Sequence, residues 1–599
     1  MLTYMDMHLK CTLPVIGVLA LITRPFMCRM EAAKIAFIST VALLYTSLCY
    51  NYSILNGART YSPEQISASI GNVPVEEYMS VVLQVVLVSL WAYICVRWKH
   101  PLLNFNHDKQ SYQMIRWVPI LLLSITTAVG YSMAVPGRET FYLGSIMCWA
   151  SPVIMLMWYG AGNYFMKHLI PSSFAIVMPT LYLLWINRLA LKGNVWHLNE
   201  STSLNVSVAN GLPLEEALFT FITTAMVVLA GTCYDKAYGM IVTYSLIYPH
   251  QFSISWNFIT QMFKAFATSE YSMPTIVTDD LKYSIKLLDS SNIFGTSNYL
   301  FDAAIRLDFI IIYGFTRITD NMIDDESDFE NKKVKLKLLF KFVDELFADR
   351  KSDYEVYSKP REVTMDWKVY ESVLTQEELS ILRAFSRIAF LLPRKPFEEI
   401  ISGFQMDMDG TLYKDEKELL KYITLVAGSF GAMCVYIILY RYNLDKYDFV
   451  EKDDYLIEKS YQIGNGLQLV NMARDLVYDS ESWGRCYFPT ELMDDKNEDL
   501  KVLCEEKNPR SMGEKKLRRY AQVMLKLADK HYFESVGCIS RLPRDVRDTI
   551  LASTEIYRDG LIYAINSSPK FPSKPKLSKY NKLMILFKTL YIKSMQSVV

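Results

Sequence analysis

Apolar residues are unevenly spread along this chain. In residues 1–250 they form long runs, at Leu13–Ile22, Ile35–Leu48, Tyr78–Val96, Trp117–Val135, Phe141–Tyr159, Ile170–Ile186 and Ala217–Tyr234. A perpendicular membrane span needs about 20 apolar residues, and flanking Trp and Tyr extend the shorter runs into the interface. The pattern predicts seven membrane helices. Leu13–Ile22 is expected to be a retained helix rather than a signal peptide, because Arg24, Pro25 and further spans follow it. Across 251–284 the apolar density drops and Ser, Thr and Pro become common, so this stretch is the expected linker. Beyond it the period is helical, at Phe301–Tyr313, Glu377–Leu391, Lys417–Leu439, Leu456–Val477, Lys515–Ser535 and Arg544–Asn566. No strand-like alternation stands out. The charge-rich stretch 325–368 is expected to be a loop or an inserted, exposed helix.

The fold class that follows is all-α, with a polytopic helix bundle over 1–250 and a second helical domain over 285–599. Loop charges orient the bundle. Arg24, Arg29 and Lys34 separate the first two spans, Arg97, Lys99, Lys109 and Arg116 the third and fourth, and Lys167 the fifth and sixth. The positive-inside rule then places the N-terminus outside and the second domain in the cytosol, as a multi-pass intracellular membrane protein. The bundle also contains a repeat. Asn72-Val-Pro74-Val-Glu76-Glu77 precedes the third span and Asn210-Gly-Leu-Pro213-Leu-Glu215-Glu216 precedes the seventh. Four spans separate the copies, an even number. A parallel duplication of a three-helix unit, joined by the fourth span, would produce this.

Composition narrows the function. With 599 residues the chain is too long for one core. Its 63 basic and 63 acidic residues balance, which gives no electrostatic reason to bind nucleic acid. Apolar residues reach 51%, and the mean hydropathy of +0.11 is high for a soluble protein. The ten cysteines include no C-x-x-C, against a zinc site or a disulfide scaffold.

Candidate chemistry concentrates in two aspartate motifs. In Tyr313-Gly-Phe-Thr-Arg317-Ile-Thr-Asp320-Asn-Met-Ile-Asp324, the two aspartates lie four apart on one helix face. Like charges there repel by a few tenths of a kcal/mol, and a divalent cation reverses that sign. Magnesium suits the arrangement, since it takes few carboxylates plus substrate phosphates. The second motif, Gln468-Leu-Val-Asn471-Met-Ala-Arg474-Asp475-Leu-Val-Tyr-Asp479, repeats the spacing, and Arg485 and Tyr487 follow as candidate diphosphate ligands. A solvated helix face would explain one such motif. Two copies, each on an apolar helix with Arg and amide companions, favour a metal site.

These residues resemble the squalene/phytoene synthase family over the C-terminal ~310 residues. The family's cavity segment is matched by Tyr422-Ile-Thr-Leu-Val426-Ala-Gly-Ser-Phe430-Gly431, its opening helix by Ser291 and Phe294, and its basic tail by Lys574, Ser578 and Lys579. The resemblance implies metal ligands at Asp320, Asp324, Asp475 and Asp479, with Tyr313, Arg317 and Tyr422 in catalysis. It implies substrate contacts at Ser291, Phe294, Val426, Phe430, Gly431, Gln468, Asn471, Arg474, Arg485, Tyr487 and Lys574. Tyr478 departs from the family, which usually has Glu before the last aspartate. The implied reaction is Mg2+-dependent head-to-head condensation of two geranylgeranyl diphosphates to phytoene, with Mn2+ as a substitute ion.

The paired glutamates have two readings: helix N-termini where the dipole favours carboxylates, or acids held protonated by low dielectric. Two Pro-x-Glu-Glu copies at equivalent places favour the second, and make Glu76, Glu77, Glu215 and Glu216 candidate catalytic acids. The whole layout resembles the fungal-type bifunctional lycopene cyclase/phytoene synthase family. Leu2-Thr-Tyr, Leu13-Pro14, Arg24-Pro25-Phe26, Pro179-Thr-Leu-Tyr-Leu and Leu189-Ala-Leu with Gly193 and Trp196 carry that resemblance. It implies that the bundle protonates lycopene and closes its ends to β-carotene through γ-carotene. No net redox change occurs and no nicotinamide is required. The lipid bilayer is the expected surrounding, and a carotenoid desaturase an implied contact. Three departures stand out: Tyr50 and Asn187 where the family has aspartates, and Arg59-Thr60 where it has paired tryptophans. The remaining alternatives are a synthase whose bundle is only an anchor, a squalene synthase, and a non-catalytic membrane scaffold.

Overall fold

A computed structural model describes residues 3–101, 109–209, 211–248, 255–290, 294–324, 326, 328–353, 363–442, 454–567 and 577–593. The chain divides into two compact units. The first is Met1–Thr243 with Ile259–Thr275, and the second is Tyr244–Phe258 with Ile276–Val599.

Each apolar run of the first unit is a helix: α1 (Tyr4–Phe26), α2 (Arg29–Leu55), α3 (Val75–Val96), α4 (Lys109–Met133), α5 (Phe141–Lys167), α6 (Leu169–Lys192) and α7 (Leu214–Thr243). All seven are long and apolar enough to cross a membrane. Their outward faces carry large apolar side chains such as Leu121, Leu122, Ile125, Phe174 and Leu181, a pattern that suits lipid rather than water. Inside, α3 packs against α1, α2, α6 and α7, while α7 packs against α5, α6, α3 and α2. Val85, Val88, Ala175, Ile176, Val227 and Val228 fill that core.

The repeat is visible in the backbone. Helices α1–α3 and α5–α7 are the two three-helix units, and α4 joins them. Between the second and third helix of each unit the chain forms short strands, which alternation in the sequence did not reveal. Strand β1 (Arg59–Tyr61) pairs antiparallel with β4 (Trp196–Leu198), its counterpart in the second unit. The hairpin β2 (Ser69–Ile70) to β3 (Val73–Pro74) opens α3, and β5 (Ser207–Ala209) to β6 (Leu212–Pro213) opens α7. Their turns use Gly71 at φ 64° and Gly211 at φ 83°, a conformation that side chains with a Cβ resist. Strands of two or three residues cannot show a period, so their absence from the sequence reading has a simple cause.

The stretch 251–284, expected as a linker, contains α8 (Trp256–Ala267) and the start of α9 (Thr275–Ser290). In the second unit, α10 (Ala303–Asp324) packs against α11 (Phe329–Leu346), α12 (Gln376–Ser386), α13 (Lys395–Met408) and α14 (Glu416–Tyr442). Helix α11 lies inside the charge-rich stretch expected to be a loop or an exposed helix. Its Leu336, Leu339, Phe342, Val343 and Leu346 are buried, so it is an amphipathic part of the core. Helix α15 (Asp454–Trp483) packs between α14 and α16 (Glu514–Ser535). Helix α14 is also apolar and long enough to span a membrane, but 56% of its most apolar window is buried inside the protein, as befits a core helix. It crosses α15 at very short range. A Cβ on Gly431 would lie 2.5 Å from the Ser460 carbonyl oxygen, and one on Gly464 2.3 Å from that of Ala427. A buried ion pair, Arg441 to Asp308 at 2.7 and 2.9 Å, ties α14 to α10.

Candidate functional site

In the second unit the site grows from two polar stripes on otherwise apolar helices. On α10, Tyr313, Arg317, Asp320 and Asp324 follow one face, while Phe309, Ile312, Phe315, Ile318 and Met322 are buried. On α15, Gln468, Asn471, Asp475 and Asp479 do the same, backed by buried Leu469, Val470, Met472, Ala473 and Val477. Each aspartate motif carries its own guanidinium. Arg317 Nη1 donates to Asp320 at 2.9 Å and Arg474 Nε to Asp475 at 2.6 Å.

A third arginine joins the motifs. After α15 the chain turns at Gly484, φ 64°, whose N–H donates to the Ser480 carbonyl at 2.9 Å. The next N–H, of Arg485, donates to the Asp479 carbonyl at 3.2 Å. From that second-motif backbone the Arg485 side chain reaches the first motif, pairing with Asp324 at 2.7 Å. Of the two candidate diphosphate ligands, Arg485 thus stands against the first motif and Tyr487 bonds another carboxylate, Asp407.

Sequence reasoning missed Asp407. It sits near the end of α13 and accepts hydrogen bonds from Tyr422 at 2.6 Å and Tyr487 at 3.1 Å. Tyr413, Tyr422 and Tyr487 form a stacked group around it. Burial, with Asp324 adding repulsion, raises the Asp407 carboxyl to about 6. Burial and the neighbouring Asp324 raise Asp320 to about 7. Burial is the larger cause of both shifts, and the mutual repulsion of Asp320, Asp324 and Asp407 adds to it, so this group of carboxylates favours added positive charge. Tyr557 was missed too. It accepts a hydrogen bond from Asn471 at 2.6 Å. Neither stands out in the sequence: Asp407 is followed by Asp409-Gly410 at the polar end of its helix, and Tyr557 by Arg558-Asp559. Tyr557 lies in a widened π turn, Ile556–Gly560, and Val426 in another, Thr424–Gly428.

Other site residues separate by surroundings. Gln468 accepts from Asn471 at 3.2 Å. Val426 packs where a side chain on Gly403 would lie 2.4 Å away. Gly431 is the close crossing of α14 and α15, and Phe430 beside it is half-buried. Tyr478, at the family's glutamate position, packs edge-on against Trp483 at 5.3 Å. Phe294 opens a short helix, Phe294–Asn298. Ser291 and Lys574 lie outside the described residues. Among the described residues no three Asp, Glu, His or Cys side chains converge as a ready metal cage. The donor chemistry fits an ion that takes few carboxylates and completes its shell with phosphate oxygens and water.

The first unit holds a second acidic site. Glu76 and Glu77 lie in the first turn of α3, Glu215 and Glu216 in that of α7, and all four are at most 1% exposed. The first of each pair grips the preceding loop: Glu76 Oε1 accepts the Ser67 N–H at 2.7 Å, and Glu215 Oε1 the Leu204 N–H at 2.6 Å. The other oxygen of each is buried without a partner. The second of each pair converges on Arg59, which bonds Glu77 at 2.8 Å and Glu216 at 2.6 and 2.5 Å. Tyr61 donates to Glu77 at 2.6 Å and Tyr142 to Glu216 at 2.9 Å. Arg59 stacks on Trp196, 4.4 Å from its ring centre. The departure at Arg59 thus places a cation between the two glutamates. The other two departures stand nearby: Tyr50 packs on Phe219, and Asn187 donates to Thr220 at 2.8 Å.

Two aspartate-bearing helices linked through Arg485, in an all-helical unit, fit an isoprenoid synthase of the head-to-head type. Residues 289–580 match the squalene/phytoene synthase family, in which divalent-metal dependence is general. A bifunctional lycopene cyclase/phytoene synthase from Blakeslea trispora is 30% identical over 93% of this chain and 90% of its own length. One from Phycomyces blakesleeanus is 28% identical over 99% of this chain and 96% of its own. A solved dehydrosqualene synthase in complex with ligand, 19% identical, covers 54% of this chain and 98% of its own at a TM-score of 0.37. The chain belongs to the family of bifunctional lycopene cyclase/phytoene synthases.

Proposed function

We propose that this protein makes phytoene from two geranylgeranyl diphosphates in its C-terminal unit and cyclises lycopene to β-carotene, through γ-carotene, in its N-terminal unit. In sequence these halves are read as 285–599 and 1–250, and the 251–284 between them holds α8 and the start of α9. The observation that carries the synthase half is Arg485, whose backbone is held by the second aspartate motif and whose side chain pairs with the first. That arrangement suits two diphosphates handled side by side. Asp320 with Asp324, and Asp475 with Asp479, would hold Mg2+ through few carboxylates and the substrate's own oxygens. When bound, the ion neutralises the departing diphosphate. Arg317, Arg474 and Arg485 orient the diphosphates through charge-assisted hydrogen bonds. Tyr313, Tyr422 and Tyr487 line the approach with aromatic faces that tolerate a passing carbocation. Phe430 and Val426 keep water from it.

In the N-terminal unit the buried glutamates supply the acid and base for ring closure. The positive-inside pattern puts the C-terminal unit on the cytosolic side and both Pro-x-Glu-Glu copies on the other. Cysteine labelling near residues 68 and 205 should give one sidedness; opposite accessibility refutes the parallel arrangement in the membrane. The main test supplies the full chain with each substrate and identifies the products. Phytoene from one and ringed carotenoids from the other are expected. A second reading, the bundle as an anchor without chemistry, draws on Tyr50 and Asn187 at the family's aspartate places. It expects phytoene to form while lycopene stays linear.

A further inference from the structure

Arg59 stands between two glutamates that the internal repeat makes equivalent, yet it holds them differently. Its Nη2 donates to both oxygens of Glu216, at 2.6 and 2.5 Å, and Tyr142 adds a bond to Oε1 at 2.9 Å. Both Glu216 oxygens are acceptors, so a proton on either displaces a bond to the guanidinium. On Glu77, Arg59 Nη1 at 2.8 Å and Tyr61 at 2.6 Å both donate to Oε1. A protonated Glu77 keeps both bonds, because Oε1 then serves as the carbonyl and Oε2 carries the hydrogen. The Tyr4 hydroxyl lies beside this carboxyl. His8, also near, donates from Nε2 to the Glu76 carbonyl at 3.1 Å, which one neutral tautomer satisfies.

Charge balance points the same way. Arg59 is 6% exposed, Glu77 1% and Glu216 0%. One guanidinium neutralises one carboxylate, and a second buried anion would bear its desolvation without compensation. For Arg59, Glu77 and Glu216 the neutral combination is one cation, one anion and one carboxylic acid, while Glu76 and Glu215 bond the N–H groups of their own loops and lie outside this triad. The hydrogen bonds decide which glutamate is which.

We infer that Arg59 is a positioning residue that fixes Glu216 as the anion and leaves Glu77 as the general acid of ring closure. This rests on the cyclase reading above. The Oε2–H bond of Glu77 breaks as the alkene π electrons form a new C–H bond. A second double bond attacks the resulting cation and closes the ring. A neighbouring carbon then gives a proton back to the Glu77 carboxylate, and its C–H electrons become the ring double bond. Charge balances throughout, and no oxidant or reductant is needed.

The test uses the full chain in lycopene-accumulating cells, with protein amount measured for every variant. Glu77→Gln and Glu216→Gln each lower ring formation by about a hundredfold or more, the loss typical of a missing proton donor. In Glu216→Gln the cause is indirect, since Arg59 then pairs with Glu77 alone and holds it as the carboxylate, its proton released to water. Adding Arg59→Gln separates the two. Glu216→Gln with Arg59→Gln regains ring formation by about tenfold or more, while Glu77→Gln with Arg59→Gln regains none. Infrared spectra of the purified chain in lipid give a readout independent of turnover. One protonated-carboxyl carbonyl band is lost in both single variants and returns in Glu216→Gln with Arg59→Gln. Rescue in the Glu77→Gln background, or undiminished ring formation in Glu77→Gln, overturns the inference. A wild-type chain that leaves lycopene linear instead refutes the cyclase reading, and the band pattern still locates the proton.

Discussion

The two acidic sites of this chain solve opposite problems. In the N-terminal unit, Glu76, Glu77, Glu215 and Glu216 are sealed from solvent, and one arginine answers two of them. In the C-terminal unit the aspartates stay partly open, with side-chain exposures of 34% for Asp320, 12% for Asp324 and 14% for Asp475. Each of these three pairs with its own arginine, yet carboxylates still exceed guanidiniums. A sealed site fixes a proton count and suits acid–base work on a hydrocarbon. An open, over-acidic site suits exchangeable cations and charged substrates that arrive and leave each turnover. Burial and charge count, rather than residue type, separate the two chemistries.

That contrast can be broken from the C-terminal side first. Asp320→Ala and Asp475→Ala should each cut phytoene synthesis by about a hundredfold to a thousandfold, the scale of losing a group that stabilises developing charge. Ring formation from supplied lycopene should hold. Product analysis of both reactions on one preparation checks it, and parallel loss of both would erase the contrast. Arg485→Ala should raise KM for the prenyl diphosphate by about tenfold to a hundredfold, as expected for a lost charge-assisted bond. Arg485→Lys should recover part of this, since the charge remains without the fork. Steady-state kinetics at saturating metal read both.

Smaller effects concern the scaffold. Gly484 has φ 64°, and a Cβ there would lie 2.6 Å from the Cys504 carbonyl oxygen. Gly484→Ala should destabilise the C-terminal unit by about 1–3 kcal/mol and displace Arg485. Thermal unfolding together with phytoene assays follows both consequences. The smallest change expected is Thr375→Ala. It removes a capping box in which Thr375 and Glu378 satisfy each other's backbone N–H groups at 3.3 and 2.7 Å. The loss should be about 1 kcal/mol, with catalysis unchanged.

Much of this was legible in the sequence. The seven apolar runs are seven helices, because long runs carry a strong signal. The two D-x-x-x-D stripes lie as read, because i, i+4 spacing fixes a helix face. The repeat of Pro-x-Glu-Glu reported its own symmetry. What escaped depended on tertiary contact. Asp407 acquires its meaning from Tyr422 and Tyr487, 15 and 80 residues away in sequence. Arg59 looked like a loss of aromatic surface. In the fold it stacks on Trp196, which opens the paired strand of the other repeat, and bridges two glutamates. Local pattern could not show either partner. Dense charge makes the stretch holding α11 read as a loop or an exposed helix, although its buried leucines recur at helical spacing.

On the function proposed, one chain runs two chemistries on two separate acidic sites, and the open one, not the sealed one, needs a divalent cation. The most direct measurement supplies the purified full chain in lipid with geranylgeranyl diphosphate and with lycopene, before and after removal of divalent cations by EDTA. Phytoene formation is expected to stop and to return on adding Mg2+, while ring formation continues throughout. Phytoene formation that persists after chelation, or ring formation that stops with it, would contradict the account.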